Sequence, residues 1–290
     1  MLKNNKVIVT GGAGFVGSHL VEKLILGNCD VTVIDNYSSG STDNHIHGAK
    51  YISGTCLEIN SLLKDVSEVD YLFHLGEYSR VERSFEDIDI VMKSNNNSFF
   101  EVIKFANKLN AKLIYSASST KFSKGDANEY MSPYSFTKLK NVELLKFYSR
   151  WFGLKHCITY FYNVFGGREI SSGKYSTVIA KFLKLKKESS KKLPIVSPGT
   201  QKRNFTHVDD IVSGLLLVAR KGNGDGYGIG SDESHSIIEV AEMLNMDYEL
   251  LPERPGNRID SELILNKTKA LGWKAKNSLR DYLDSMINEK

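Results

Sequence analysis

Tyr134 and Lys138 stand four residues apart, directly after Pro133. Proline suits the first turn of a helix, and on a helix a spacing of four puts both side chains on one face. An ammonium beside a phenol favours the ionised phenol, which turns an inert hydroxyl into a general base. Upstream, Ser116, Ser118, Ser119 and Thr120 crowd one short stretch. A hydroxyl from that stretch can bond the same substrate oxygen that loses its proton to the phenol. A Tyr–Lys pair at this spacing is common on solvated helix faces, so its weight comes from what precedes it in the chain.

What precedes it is a phosphate cradle. Val7–Thr10 runs straight into Gly11-Gly12-Ala13-Gly14-Phe15-Val16-Gly17. The run fits GxGxxG through Gly12, Gly14 and Gly17, and GxxGxxG through Gly11, Gly14 and Gly17. Such glycines permit the tight turn, the approach of backbone to a pyrophosphate, and close packing of helix on strand. The helix that opens there points unpaired N–H groups and a positive dipole end at the phosphate. Asp35 ends the next β-rich run, 18 residues past Gly17. A carboxylate at that place accepts from both ribose hydroxyls and repels a 2′-phosphate. Asn36-Tyr37-Ser38-Ser39 follows without an arginine, which favours NAD over NADP. A P-loop is excluded, because Ser18 occupies the place of its lysine.

The elements that position these groups are legible in outline. Short strands are expected at 6–10, 30–34, 49–52, 70–74, 111–115 and 155–160. Helical stretches are expected after the glycine turn through Leu26, over 85–109 with a break near Asp89, and over 134–152. Strands alternating with such helices predict an α/β fold, a Rossmann-type doubly wound parallel sheet with ligands at its carboxyl edge. This NAD-binding domain is read as residues 1–160. Beyond it fall Pro194, Pro198, Pro252 and Pro255, four of the five prolines. The pattern there predicts a smaller α/β substrate-binding lobe over 161–290, with segments such as 205–222 returning to the first domain. Its helices are expected at 173–188, 209–220, 237–244 and 278–288.

Composition bounds the rest. The 290 residues are 41% apolar and 25% charged, with a net charge of +4, which is ordinary globular usage. That charge is too mild to imply nucleic acid. The lysines between 181 and 192 read as the wet face of an amphipathic helix. No run approaches the roughly 20 apolar residues that span a bilayer, and Met1–Thr10 has no signal-peptide pattern. No membrane partner and a cytoplasmic location are therefore expected. Cys29, Cys56 and Cys157 are widely spaced and form neither a disulfide framework nor a metal site; no metal is expected.

The chain resembles the extended short-chain dehydrogenases/reductases of the nucleotide-sugar epimerase and dehydratase group, UDP-glucose 4-epimerase-like. The likeness runs through TGGAGFVGSHLVEKL (10–24), VTVIDNYSSG (31–40), FHLG (73–76), SPYSFTK (132–138), YNVFG (162–166), RNFTHVDDIV (203–212), RPGN (254–257) and LGW (271–273). It covers nearly the whole chain. It implies catalytic roles for Tyr134, Lys138 and Ser118. It implies cofactor contacts from Gly11, Gly14, Phe15, Val16, Gly17, Asp35, Asn36, Ser39, Gly40, Leu75, Gly76, Asn95 and Ser116, with Tyr134 and Lys138. Substrate contacts are implied for Ser118, Ser119 and Thr120, and phosphate contacts for Asn163, Arg203, Arg254 and Arg258. Arginine suits phosphate because its planar fork binds bidentately.

The resemblance also narrows the reaction. Dehydratases of the group carry Asp-Glu after the catalytic threonine and decarboxylases a Glu at the Thr120 position, but here Ser119-Thr120 stands there. Reductase-epimerases place a Cys at that position. A 4-epimerase acting on a UDP-hexose through transient oxidation at C4 is favoured. The alternative is a 4-dehydrogenase or 4-ketoreductase on the way to an unusual surface sugar. A homodimer is implied, formed through the helices over 85–109 and 134–152. The chain departs from the group in the charged run Glu77–Arg83, where Glu77 and Arg80 either reach the sugar or pair with each other.

Overall fold

The computed structural model describes residues 2–122, 132–173, 175–189, 192–253 and 262–288. Strand β1 (Lys6–Thr10) leads into helix α1 (Phe15–Ile25), then β2 (Asp30–Asp35), β3 (Lys50–Ser53), the short α2 (Ile59–Leu62) and β4 (Tyr71–His74). Helices α3 (Ile88–Val91) and α4 (Ser98–Lys108), β5 (Lys112–Ser118), α5 (Pro133–Phe152) and β6 (His156–Phe161) follow. The second half contributes β7 (Val164–Phe165), α6 (Val178–Lys187), β8 (Lys192–Val196), β9 (Lys202–Arg203), β10 (Thr206–His207), α7 (Val208–Lys221) and β11 (Gly224–Ile229). The chain ends with β12 (His235–Ser236), α8 (Ile237–Met243), β13 (Asp247–Leu251), α9 (Asn266–Ala270) and α10 (Leu279–Asn288).

The main sheet has seven strands in the order β11-β6-β5-β4-β1-β2-β3, and every pairing in it is parallel. Its central strands are buried on both faces, while the edge strand β3 is half-exposed. One face packs Ile8, Leu72, Leu113 and Tyr115 against α4 and α5. The other packs Val7, Val9, Val31 and Val33 against α1 and α7. The chain reverses direction across the sheet between β1 and β4, the place where such folds bind their ligands. Three two-stranded pieces, β10-β7, β12-β9 and β13-β8, lie outside the main sheet. Around them Phe165, Phe182, Leu193, Phe205 and Leu283 form a separate buried cluster.

Local signals set the helix ends. Pro133 occupies the first turn of α5, the Ser132 hydroxyl accepts from Ser135 N–H, and Gly153 closes the helix in the left-handed region at φ 73°, as the chemistry of caps requires. Ser236 and Glu239 form a reciprocal capping box on α8. Two helix expectations are corrected. The helix expected over 85–109 with a break near Asp89 instead holds Asp89 within α3 and widens to a π turn at Met92–Asn97 before α4. The wide turn accompanies the buried amide of Asn95, which donates to Thr137 Oγ1 at 3.0 Å and to the Tyr78 carbonyl at 3.3 Å. The helix expected from 173 begins only at Val178.

The C-terminal segment is tied down by one carboxylate. Asp210 is 2% exposed, and its Oδ2 accepts from the N–H groups of Lys276 and Asn277 at 3.0 and 2.9 Å. Its carbonyl accepts from Trp273 Nε1 at 3.1 Å. Asp210→Ala removes this buried acceptor of two backbone N–H groups and should cost about 1–3 kcal/mol in urea unfolding. Asp209→Ala, next door but 47% exposed, should cost under about 1 kcal/mol. Equal losses would show that Asp210 does not anchor the segment.

Candidate functional site

The carboxyl edge of the sheet opens onto a cavity of about 890 Å³. Its floor is the cradle. Gly11 sits at φ 72°, and a Cβ built on it would lie 2.7 Å from Gly76 N. A Cβ on Gly17 would lie 2.0 Å from the Gly11 carbonyl oxygen. Glycine is therefore a steric requirement at both places. Helix α1 starts at Gly14 with no side-chain cap, so its first N–H groups keep their dipole for a bound anion.

Asp35 ends β2 beside this turn and is 7% exposed. Oδ2 accepts from Ala13 N–H at 2.9 Å and Oδ1 from Tyr37 N–H at 2.8 Å. The carboxylate thus fixes the glycine loop as well as lining the cavity. Gly40 backs it, 3.1 Å from Oδ1 as judged by a built Cβ. The Ser116 hydroxyl, on the cavity wall, is a buried polar atom with no partner, which suits a group that a ligand satisfies. Glycine turn, uncapped helix, ribose-facing carboxylate and unsatisfied hydroxyl together fit a dinucleotide.

The residues to which the resemblance gives catalytic roles meet on the wall of this cavity. β5 ends at Ser118, whose Oγ accepts from Thr120 N–H at 3.3 Å and Oγ1–H at 3.0 Å. α5 presents Tyr134 and Lys138, which are 9% and 7% exposed. The Lys138 Nζ lies 6.0 Å from the centre of the Tyr134 ring and 5.1 Å from that of Tyr115. Ser116, Ser118, Ser119, Thr120, Tyr134, Lys138 and Asn163 all line the same cavity, as do Gly11, Gly14, Phe15, Val16, Gly17, Asp35, Asn36, Ser39, Leu75 and Gly76.

Glu77 corrects an expectation. It forms no ion pair with Arg80. Its side chain is 2% exposed and bonds to the Lys138 ammonium. Asn141 Nδ2 donates to Oε1 at 2.8 Å, the Tyr115 hydroxyl donates to Oε2 at 3.2 Å, and His74 Nε2 stands 3.6 Å from Oε1. Burial alone would push the Glu77 carboxyl up, but Lys138 and His74 overcome it and hold it below the ordinary carboxylate value. Burial, and then the charge of Glu77, push the Tyr115 phenol well above its ordinary value, so Tyr115 stays a donor. Sequence reasoning marked Glu77 but missed Tyr115, His74 and Asn141. Asn141 lies three residues beyond Lys138 on the same helix face, which is a signal the spacing contains.

Arg80 turns elsewhere. Its Nε and Nη2 donate to the Tyr175 carbonyl at 3.0 and 2.6 Å, and it lines the cavity. Burial lowers its affinity for a proton, partly offset by the Tyr134 and Tyr78 phenols. Glu169, across from it, is pushed by burial up to about 7. Asn95 is not on the wall. It lies behind it, fully buried, where its Oδ1 accepts from Tyr78 N–H at 2.8 Å. Arg203 lies in β9 and donates to the Lys202 carbonyl at 3.0 Å, off the cavity wall. Arg254 and Arg258 fall outside the described residues. The Cys56 thiol, pushed by burial up to about 12, is no nucleophile.

Comparison with known proteins agrees with this geometry. The model of the NAD dependent epimerase/dehydratase family matches residues 7–230. A putative UDP-glucose 4-epimerase of Methanocaldococcus jannaschii is 27% identical, covering 97% of each chain. UDP-glucuronic acid decarboxylase 6 of Arabidopsis thaliana is 28% identical over 98% of this chain and 88% of its own. The crystal structure of UDP-glucose 4-epimerase from Thermotoga maritima with UDP-glucose superposes with a TM-score of 0.88 at 28% identity, covering 97% of both chains.

Gly17→Ala tests the cradle. The added methyl would force Gly11 and α1 apart, so binding of NAD, read by quenching of protein fluorescence, should weaken by at least about tenfold. Undiminished binding would show that the pyrophosphate lies elsewhere.

Proposed function

We propose that this chain, which belongs to the NAD dependent epimerase/dehydratase family, is a nucleotide-sugar 4-epimerase acting on a UDP-hexose, with Tyr134 as acid and base. The observation that carries the reading is the joining of a glycine-turn dinucleotide cradle and a Ser118–Tyr134–Lys138 cluster in one cavity, with the Thr120 hydroxyl rather than a carboxyl group bonded to Ser118. No carboxyl group stands at Ser119 or Thr120 to expel a C6 hydroxyl or assist loss of a carboxyl carbon.

NAD is the family's cofactor and, when bound, accepts a hydride from a sugar carbon and gives it back. The chain's own groups do the rest. Asp35 holds the adenosine ribose, and the N–H groups at the start of α1 hold the pyrophosphate. Lys138 reaches the second ribose. Tyr134 takes the proton of the C4 hydroxyl and later returns it, while the Ser118 hydroxyl holds the same oxygen in place. Asn163, on the cavity wall, and the arginines at 254 and 258 anchor the diphosphate while the sugar turns to present its other face. The names of the relatives in Methanocaldococcus and Thermotoga support this reading.

We also propose a homodimer. α5 exposes Phe136, Phe147, Trp151 and Phe152, and the preceding helical segment exposes Phe85, Ile88, Met92 and Phe100. Trp151 is 63% exposed, and a cluster of this kind is what an apolar interface covers.

Proton NMR of the protein with NAD and a panel of UDP-sugars should show a new anomeric signal rising to equilibrium with no net NADH. Net NADH would instead establish a 4-dehydrogenase, and release of carbon dioxide from UDP-glucuronate a decarboxylase. Tyr134→Phe should keep NAD binding and lose about 10²–10⁴-fold in turnover; full retained turnover would remove Tyr134 from the chemistry. Light scattering should give twice the chain mass of 32.5 kDa, and Phe147→Glu with Trp151→Glu should reduce it to one chain. A monomeric wild type would refute the dimer.

A further inference from the structure

Lys138 does not face Tyr134 alone. Its ammonium bonds to the Glu77 carboxylate and donates to the Ser116 carbonyl at 2.6 Å. An ammonium has three N–H groups, so two are taken by these acceptors. The carboxylate is held in turn from two strands and a helix, by His74 of β4, Tyr115 of β5 and Asn141 of α5. Behind His74 stands Thr10 Oγ1, 2.7 Å from Nδ1; it also accepts from Gly76 N–H at 3.1 Å, and Thr10 is fully buried.

A lone positive charge near a phenol favours its ionised form, and an opposite charge beside that positive one cancels much of the effect. We propose that Glu77 is a positioning residue for Tyr134: its carboxylate fixes the Lys138 ammonium and withholds part of that charge from the phenol, so that Tyr134 ionises less readily than Lys138 alone would allow. The inference rests on the acid/base role of Tyr134. That role needs both forms of the phenol, one to take a proton and one to return it, and a carboxylate that tempers the lysine keeps the protonated form available.

Other charged and titratable groups face the pair, and the Tyr134 resonance is followed by itself because Tyr115 and His74 also feel the Glu77 charge. Arg80, from the loop after β4, acts on Tyr134. Tyr115 and His74 face Glu77 from their strands, and Cys56, from the turn after β3, adds a buried protonated thiol.

The experiment is a titration of Tyr134 itself, with no substrate. Protein labelled with ¹³C at the tyrosine Cζ is titrated by NMR with NAD bound, and Tyr134→Phe assigns the resonance. In Glu77→Gln the Tyr134 signal should titrate about one pH unit or more lower than in wild type, and Glu77→Asp should follow wild type. Glu77→Ala, which leaves space for a water beside Lys138, should move the signal in the same direction and serves if the glutamine variant does not fold. An unchanged midpoint, or one that rises, would overturn the proposal and reduce Glu77 to a packing role. Failure of the epimerase reading would show separately, as absent sugar interconversion with the titration shift intact.

Discussion

The site hangs from the approach of two strand ends. β1 and β4 pair in parallel up to Thr10 and His74, and beyond them the backbones at Gly11 and Gly76 come so close that a Cβ on either would meet the other's main chain. Gly76 N–H donates to Thr10 Oγ1 at 3.1 Å, and the same oxygen contacts His74. One hydroxyl therefore locks the turn of the cradle to the turn that carries Glu77. The dinucleotide floor and the catalytic wall are two sides of one backbone contact, and neither shifts without the other.

A buried carboxylate facing a buried ammonium carries a cost. Taking both charges out of water is unfavourable, and it is offset only when the remaining lone pairs and N–H groups also find partners. Here Asn141 and Tyr115 bond the carboxylate, and the Ser116 carbonyl accepts a second N–H of the ammonium. The rings of Phe99 and Tyr115, with centres 4.4 Å apart, close the cluster on the side of α4. Such an arrangement holds the Lys138 ammonium in place beside the Tyr134 ring, 6.0 Å from its centre, and fixed charge is the preorganisation that the proposed proton transfer needs. The lobe beyond β6 completes the other wall with Asn163, Val164 and Phe205. It is built from two-stranded pieces whose own core lies apart from the main sheet.

Much of this was legible in the sequence because the signals are local. A glycine run between a β-rich stretch and a helical one, a carboxylate at the end of the next strand, and Pro-Tyr followed by Lys on a helix are each written within a few residues. Alternation of period two and period 3.6 then implies parallel strands with helices between them. Glu77 shows the limit. Its neighbour in the run, Arg80, is the obvious partner by charge and spacing, yet the turn after β4 sends the two side chains apart, Glu77 under α5 and Arg80 to the Tyr175 carbonyl. The π turn at Met92–Asn97 was invisible for the same reason, since it answers to Tyr78 and Thr137, residues distant in sequence.

Short-range signals in the chain were enough for the class of fold, the glycine cradle and the choice of NAD, and they marked Tyr134, Lys138 and Ser118 as the residues the proposal rests on. These follow from the chemistry of single turns and single helix faces, which needs no distant partner. Only the tertiary structure decided how the charges are shared. Whether Lys138 spends its charge on a phenol or on a carboxylate depends on which side chains β4, β5 and α5 bring within about 4 Å of one another, and that is set by the register of the sheet and the packing of the helix upon it.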